Sequence, residues 1–178
     1  ISSNLMPCGV HIRNHAPKNA GVEIGLNAAE PDPGFLRKWT AIGPFPNPDV
    51  PSPMPGHASR AGFDTDYLAA VGGEAEAAIT PATTVTYRDA HGQTRTVKGT
   101  TLEANERGTV DFKSLFPKGK QVAYAFCLVF SKHEQKARFE MGANDCPKVW
   151  VNGKLAFSHW SAEGDYGMPG AFSFDADL

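Results

Sequence analysis

The chain has 178 residues, of which 41% are hydrophobic, and its formal net charge is −2. This length fits one domain that buries an apolar core without metal or disulfide staples. Acidic and basic residues are mixed along the chain, which excludes the concentrated positive field that nucleic acids and anionic membrane surfaces attract. The longest apolar run, residues 122–130, is too short to cross a bilayer. We therefore expect no nucleic-acid partner and no membrane partner.

Residues 1–34 show neither helical nor strand periodicity and are predicted to form an irregular arm or linker. Within them, the AAEPDPG stretch at 28–34 is typical of a linker, because each proline biases the preceding residue toward an extended conformation. The first residue is Ile1, so both a removed signal peptide and a fragment of a longer protein are compatible with the sequence. Residues 35–178 are predicted to form the folded domain.

The first half of this domain predicts a strand, a helix and a hairpin. Residues 37–42 are predicted as a first strand that stops at the Gly-Pro-Phe-Pro stretch, 43–46. The stretch DTDYLAAV at 64–71 predicts the one short helix, with aspartates to cap its start and glycine to end it. Residues 83–87 and 93–98 flank the sequence DAHG, which favours a β-hairpin.

The second half predicts strands only. Residues 108–112 form a short strand, and residues 137–142 alternate, with Phe139 and Met141 on one face. Residues 121–130 are apolar on both faces, as expected of a central strand that is covered on both sides.

Residues 148–157 form the clearest hairpin, because two β-rich arms surround Asn152-Gly153, a strong signal for a type I′ turn. Val149 and Val151 are predicted to be buried on one face, with Trp150 and Asn152 on the other. We assign Asn152 to the turn rather than to a ligand.

Short strands, turn signals and one helix predict an all-β fold, an antiparallel β-sandwich or barrel. Three stretches then resemble a known family: WTAIGPFP (39–46), DYLAAVGGE (66–74) and GANDCPKVWVNGKL (142–155). They are similar to the galactose-binding-like jelly-roll accessory modules of bacterial polysaccharide-degrading enzymes. Residues 149–178 are also similar to the sugar-binding-like domain of glycoside hydrolase family two.

This resemblance covers residues 35–178 and implies two packed antiparallel sheets, with 122–130 and 148–157 both central. It also implies a secreted or periplasmic protein, a polysaccharide or oligosaccharide partner, and an adjacent catalytic domain in the parent protein. In similar modules one more strand follows the segment that matches 172–178, so we expect the parent protein to continue past Leu178 or another segment to fill that sheet edge. The chain departs from the family at Asn144-Asp145-Cys146-Pro147, where relatives carry glycine, and the proline is predicted to stiffen this loop.

Candidate metal ligands and thiols are few. Cys8, His11 and His15 have metal-like spacing, but a structural zinc ion needs a fourth ligand, and polar residues on an irregular arm are the simpler interpretation. Asp64 and Asp66 are candidate ligands of a structural calcium ion, although helix capping explains them more simply. The remaining cysteines are assigned in two ways: Cys127 is predicted to be a buried thiol, and Cys146 is a candidate disulfide partner of Cys8.

No nucleophile elbow, phosphate-binding loop or dinucleotide fingerprint is present, so we predict no catalytic residue. The segment SHWSAEGDYG at 158–167 instead has the composition of a sugar site, since Trp160 offers a ring for stacking. Its other predicted ligand-binding residues, which would hydrogen-bond sugar hydroxyls, are His159, Glu163, Asp165 and Tyr166.

An enzyme in its own right is the weakest interpretation of the sequence, which leaves two main functions open. One is a non-catalytic carbohydrate-binding module of a larger secreted polysaccharide-degrading protein. The other is a structural β-sandwich domain that packs on a catalytic domain without binding sugar. They differ in Trp160, which either forms the sugar platform or closes the end of the core. Trp39 and Trp150 are predicted to be core residues.

Overall fold

A computed structural model describes residues 8–12 (backbone only), 34–48, 59–89, 91–113, 115, 121–131, 133–144, 146–161 and 170–178. Strands account for 47% of these residues and helices for 9%, which confirms the predicted all-β class. No helix within the described ranges is long and apolar enough to span a membrane.

The described residues form eleven strands, all paired antiparallel. In chain order, strands β1 to β11 are Cys8–Ile12, Lys38–Pro46, Thr84–Arg88, Thr94–Lys98, Thr100–Glu103, Thr109–Val110, Gln121–Phe126, Lys136–Gly142, Lys148–Val151, Lys154–Ser158 and Phe172–Asp177. They make a four-stranded sheet in the order β11-β8-β1-β6, a three-stranded sheet β5-β2-β7, and the two hairpins β9-β10 and β3-β4. The finer jelly-roll topology stays a prediction.

The first core lies on the inner face of the four-stranded sheet. As the alternation predicted, Phe139 and Met141 of β8 are buried while Arg138 is exposed. Phe139 pairs with Phe174 of β11, and their rings stack with centroids 5.2 Å apart. Phe157 of the β9-β10 hairpin packs 5.5 Å from the Phe174 ring, so the hairpin covers this face.

The second core is built around Phe45 of β2, which is fully buried. Its ring stacks on Tyr67 at 4.9 Å and contacts the rings of Tyr87 and Tyr124 at 5.4 and 5.8 Å. The tyrosine hydroxyls bind backbone carbonyls at the end of the same strand: Tyr67 donates to Pro46, and Tyr87 donates to Pro44 at 3.1 Å. The Gly-Pro-Phe-Pro stretch is therefore held by the core.

The predicted end of the first strand before Gly43 is wrong, because β2 continues to Pro46 and still pairs with β7. The register shifts between Ile42 and Phe45, a local irregularity at which prolines are tolerated. Gly43 has a φ of 151°, and a Cβ there would lie 3.1 Å from the Val122 carbonyl oxygen, so this close approach requires glycine.

The continuous helix predicted over 64–71 is also wrong, because three short segments replace it: α1 (Ala61–Asp64), a 3₁₀ helix (Ala69–Val71) and α2 (Gly73–Glu76). Thr65 is extended and interrupts the helix. The terminal glycine is confirmed, since Gly72 is left-handed with φ 112°, but the predicted aspartate caps are wrong: the N-cap residues of the three segments are Arg60, Leu68 and Gly72, and none makes a side-chain cap hydrogen bond. Asp66 instead accepts a hydrogen bond from the Leu68 N–H at 2.9 Å in the turn before the 3₁₀ helix.

The long strand predicted over 121–130 ends at Phe126, and among the described strands β7 pairs with β2 alone. Within the described part of the chain it is therefore an edge strand rather than the predicted central one. Beyond it Leu128 and Phe130 are 69% and 68% exposed. The apolar run predicted burial, but no described element covers these two side chains.

Both predicted hairpins are confirmed. Strands β3 and β4 pair around the DAHG turn, and β9 and β10 pair around Asn152-Gly153. Asn152 (φ 49°) and Gly153 (φ 77°) are both left-handed, as a type I′ turn requires, so the turn role of Asn152 is confirmed. Within the described residues β9-β10 is a separate two-stranded sheet rather than a central one.

The ends of the chain complete the four-stranded sheet. Strand β1 (Cys8–Ile12) lies between β8 and β6, so the prediction of an irregular arm is wrong for these residues. The sequence did not indicate this strand, because it is only five residues long and lies in a segment without periodicity. Strand β11, predicted from the sequence, lies at the sheet edge, where the Asn152 side-chain amide donates to the Asp177 carbonyl at 2.9 Å. Continuation of the parent protein past Leu178 stays a prediction.

Candidate functional site

Two of the five predicted sugar-binding residues lie within the described part of the chain. His159 and Trp160 directly follow β10, and both are half-buried. Glu163, Asp165 and Tyr166 fall in residues 162–169, outside the described residues. The described part of the candidate site therefore consists of Trp160 and the side chains that contact it.

Trp160 is positioned by anchors on both sides. The His159 N–H donates to the Pro147 carbonyl at 2.9 Å, and the Ser161 N–H donates to the Cys146 sulfur at 3.2 Å. The His159 ring packs 4.9 Å from Phe172 of β11, so it faces the first core. These contacts fix the backbone on either side of Trp160 against the loop that precedes β9.

Trp160 begins a row of alternating rings and cations that we call the cation–π ladder. The Arg60 guanidinium lies 5.3 Å from the Trp160 ring centroid and 5.5 Å from that of Phe63. The Lys148 ammonium lies 4.6 Å from the same Phe63 ring and 5.8 Å from the Trp150 ring. All four distances are within the range of cation–π attraction. The ladder joins the helical segment around α1 to the β9-β10 hairpin.

Each cation of the ladder has a carboxylate partner. Asp64 accepts from the Arg60 Nε at 2.9 and 3.1 Å, and Glu74 lies 3.7 Å from the Lys148 ammonium. The first ion pair is open to solvent, since the Arg60 side chain is 55% exposed, whereas the Lys148 side chain is only 19% exposed. The Trp160–Arg60 end is therefore the accessible end of the ladder.

The closed end is fixed by a hydrogen bond between Glu74 and Tyr124. The Tyr124 hydroxyl donates to Glu74 Oε1 at 2.8 Å and accepts from the Tyr67 N–H at 3.3 Å. Burial raises the pKa of the Tyr124 hydroxyl, and the Glu74 carboxylate raises it further, so this group remains a neutral donor. Burial also raises the pKa of Glu74, against the opposing effects of the Tyr124 hydrogen bond and the Lys148 charge.

The Glu74 carboxyl predicts a pH dependence of stability. Its pKa in the folded state is above its ordinary value of 4.5, so between these two values the folded state binds more protons than the unfolded state. The contribution of Glu74 to the free energy of unfolding should therefore fall as the pH rises through this window. Urea unfolding of the wild type and of Glu74→Gln, from pH 4 upward, measures it as a difference between the two proteins. A difference that is constant with pH, or that grows in favour of the wild type as the pH rises, would contradict the assignment.

The candidate metal ligands and thiols are placed as follows. Asp64 pairs with Arg60, and Asp66 accepts from the backbone N–H groups of Leu68 and Glu74, so both carboxylates already serve structural contacts. The described residues contain no group of three or more His, Cys, Asp or Glu side chains that could hold a metal ion. The side chains at positions 8, 11 and 15 are outside the described set, so a zinc site and a disulfide there stay predictions. Cys127, predicted to be a buried thiol, is half-buried, and burial raises the pKa of its thiol to about 12, which favours the protonated form at neutral pH.

The sequence did not indicate most of the ladder. Trp150 was predicted to be a core residue, yet it is half-buried beside Lys148. The alternation of side chains along the strand could have indicated this position. Val149 packs on the first core, so its neighbour Trp150 lies on the opposite face of the strand. Arg60 and Phe63 carried no signal, since they meet the hairpin only through a contact between distant parts of the chain.

The chain has no significant match among protein-family models, curated proteins or solved structures. The resemblance of its three motifs to galactose-binding-like modules therefore stays a prediction.

Proposed function

We propose that this chain is a non-catalytic carbohydrate-binding module. The observation that carries the proposal is the open end of the cation–π ladder, where the half-buried Trp160 ring lies beside the exposed guanidinium of Arg60. An aromatic platform next to planar hydrogen-bond donors suits a sugar, which has an apolar CH face and a rim of hydroxyls.

Arg60 supplies the polar part of such a site. Its Nε is taken by Asp64, but no described residue accepts a hydrogen bond from its two terminal nitrogens. These nitrogens are therefore available to hydroxyl oxygens, and the Asp64 pair holds the guanidinium in place without occupying them. The half-buried His159 ring packs on Phe172, and its predicted contact with sugar stays a prediction.

The proposal extends to the parent protein. A module of this kind keeps a catalytic domain close to its polysaccharide, and we propose that the parent is a secreted or periplasmic polysaccharide-degrading protein. The three motifs at 39–46, 66–74 and 142–155 support this, together with the all-β fold. Glu163, Asp165 and Tyr166 are proposed to complete the site.

Three exposed side chains favour a second candidate, a structural module that packs on a neighbouring domain. Leu128, Phe130 and Leu155 are 69%, 68% and 56% exposed, and exposed apolar side chains mark a partner surface where they form one patch. In that case the apolar side chains, and not Trp160, would contact the partner.

Affinity gel electrophoresis of the wild-type chain tests the proposal. The gels contain one soluble polysaccharide each: galactomannan, xyloglucan, hydroxyethyl cellulose, arabinogalactan, polygalacturonate or alginate. We expect at least one polymer to slow the chain relative to a reference protein that binds no sugar. Unchanged mobility in every gel would contradict the proposal and leave the structural module.

A further inference from the structure

The charges around the ladder bear on the kind of sugar that it accepts. The two cations, Arg60 and Lys148, face the two carboxylates of Asp64 and Glu74, so the ladder with its partners has no formal net charge. A further carboxylate, that of Asp66, is bound to the Glu74 N–H at 3.2 Å. Counting it, the described groups carry a local formal charge of −1, since two are positive and three are negative; the proposed site residues Glu163 and Asp165, outside the described residues, add no positive charge.

This balance works against an anionic ligand. A uronate or a sulfated sugar needs an excess of positive charge, or an arginine that is free to bind its carboxylate or sulfate. Here Asp64 binds only the Nε of Arg60 and leaves the terminal nitrogens open, but its carboxylate already neutralises the guanidinium charge. Glu74 likewise offsets the Lys148 ammonium, so an anionic ligand would gain no net attraction from the described site. Hydroxyl groups need no such excess, because they accept N–H hydrogen bonds without bringing charge.

We infer, on the basis of the proposed function, that the ligand is an uncharged glycan, with a sugar ring on Trp160 and hydroxyls bound by the terminal nitrogens of Arg60. Binding should then depend little on ionic strength, because no charge is neutralised when the ligand binds. Asp64 acts as the selectivity residue, since its carboxylate neutralises the charge of Arg60, the exposed cation among the described residues of the site.

The test compares neutral and carboxymethylated forms of the same polymer backbone, chosen from those that retain the wild type. Affinity gels are run at about 0.02 M and about 0.5 M NaCl, because the Debye screening length differs several-fold between these two concentrations. The wild type should bind the neutral form equally at both salt concentrations, and it should bind the carboxymethylated form at least about tenfold more weakly at low salt. Tighter binding to the carboxymethylated form that disappears at high salt would overturn the inference but leave the proposed function standing.

Two variants isolate the role of Asp64. Asp64→Asn should gain salt-sensitive retention on the carboxymethylated polymer, because it leaves Arg60 without its counterion. Asp89→Asn is the control: Asp89 pairs with Arg95 at 2.9 Å in the β3-β4 hairpin, where it also accepts hydrogen bonds from the backbone N–H groups of His91 and Gln93. A gain in neither variant, or an equal gain in both, would contradict the assignment of Asp64. Loss of retention on every polymer in Asp64→Asn alone, neutral forms included, would show that the pair with Arg60 is needed for binding itself and would contradict a role in selectivity only.

Discussion

Replacing Phe45 with alanine should lower the free energy of unfolding by about 3–5 kcal/mol, the usual cost of emptying a buried aromatic site. Phe45 is fully buried, and its ring contacts three tyrosine rings at centroid distances between 4.9 and 5.8 Å. The substitution would also remove the ring contacts of Tyr67 and Tyr87, whose hydroxyl groups donate hydrogen bonds to the carbonyls of Pro46 and Pro44. Urea denaturation followed by tyrosine and tryptophan fluorescence gives the difference.

Phe130→Ala is the matched control, because it removes the same atoms from a side chain that is 68% exposed. We expect its effect to stay within about 0.5 kcal/mol, as is usual for surface substitutions. If the two variants lost similar stability, Phe45 would not be the centre of the second core.

Replacing Trp160 with alanine should weaken glycan binding by at least about 30-fold, which corresponds to the loss of about 2 kcal/mol expected at an aromatic hot spot. The same substitution should lower the free energy of unfolding by only about 1 kcal/mol, the worth of a cation–π contact with an exposed arginine. Trp160 is half-buried and belongs to neither core, so its removal leaves both cores intact. Affinity electrophoresis and urea denaturation of the same protein separate the two effects.

Trp160→Phe serves as the conservative variant, since it keeps a smaller ring for stacking and should recover part of the affinity. A loss of about 3–5 kcal/mol in stability for Trp160→Ala would instead identify the residue as core. Unchanged affinity in a stable Trp160→Ala protein would exclude the ring as the sugar platform.

The sequence predicted the elements whose signals are local. The β9-β10 hairpin follows from Asn152-Gly153, and the alternation of Phe139 and Met141 places β8 on the first core. The prediction failed where distant contacts decide. The prolines at 44 and 46 indicated the end of a strand, but β2 continues through them. Hydroxyl groups of two tyrosines that are distant in the sequence donate hydrogen bonds to the carbonyl groups of these prolines.

The candidate site divides in the same way. The composition of residues 158–167 was enough to select Trp160, and its partners were not visible because Arg60 lies 100 positions earlier in the chain. The run at 121–130 was predicted to be buried from hydrophobicity alone. Burial depends on which element covers a strand, and Leu128 and Phe130 are uncovered among the described residues.

The most direct test of the sugar site at Trp160 is a two-dimensional ¹⁵N–¹H NMR titration that follows the three tryptophan indole N–H signals. The Trp39 indole is an internal reference, because it is buried and donates to the Leu36 carbonyl at 2.8 Å. The ligand is an oligosaccharide derived from a polymer that retains the protein in the affinity gels. On its addition the Trp160 signal should shift most and the Trp150 signal less, while the Trp39 signal should stay in place. Saturable binding that leaves the Trp160 signal unmoved would contradict a sugar site at the open end of the ladder.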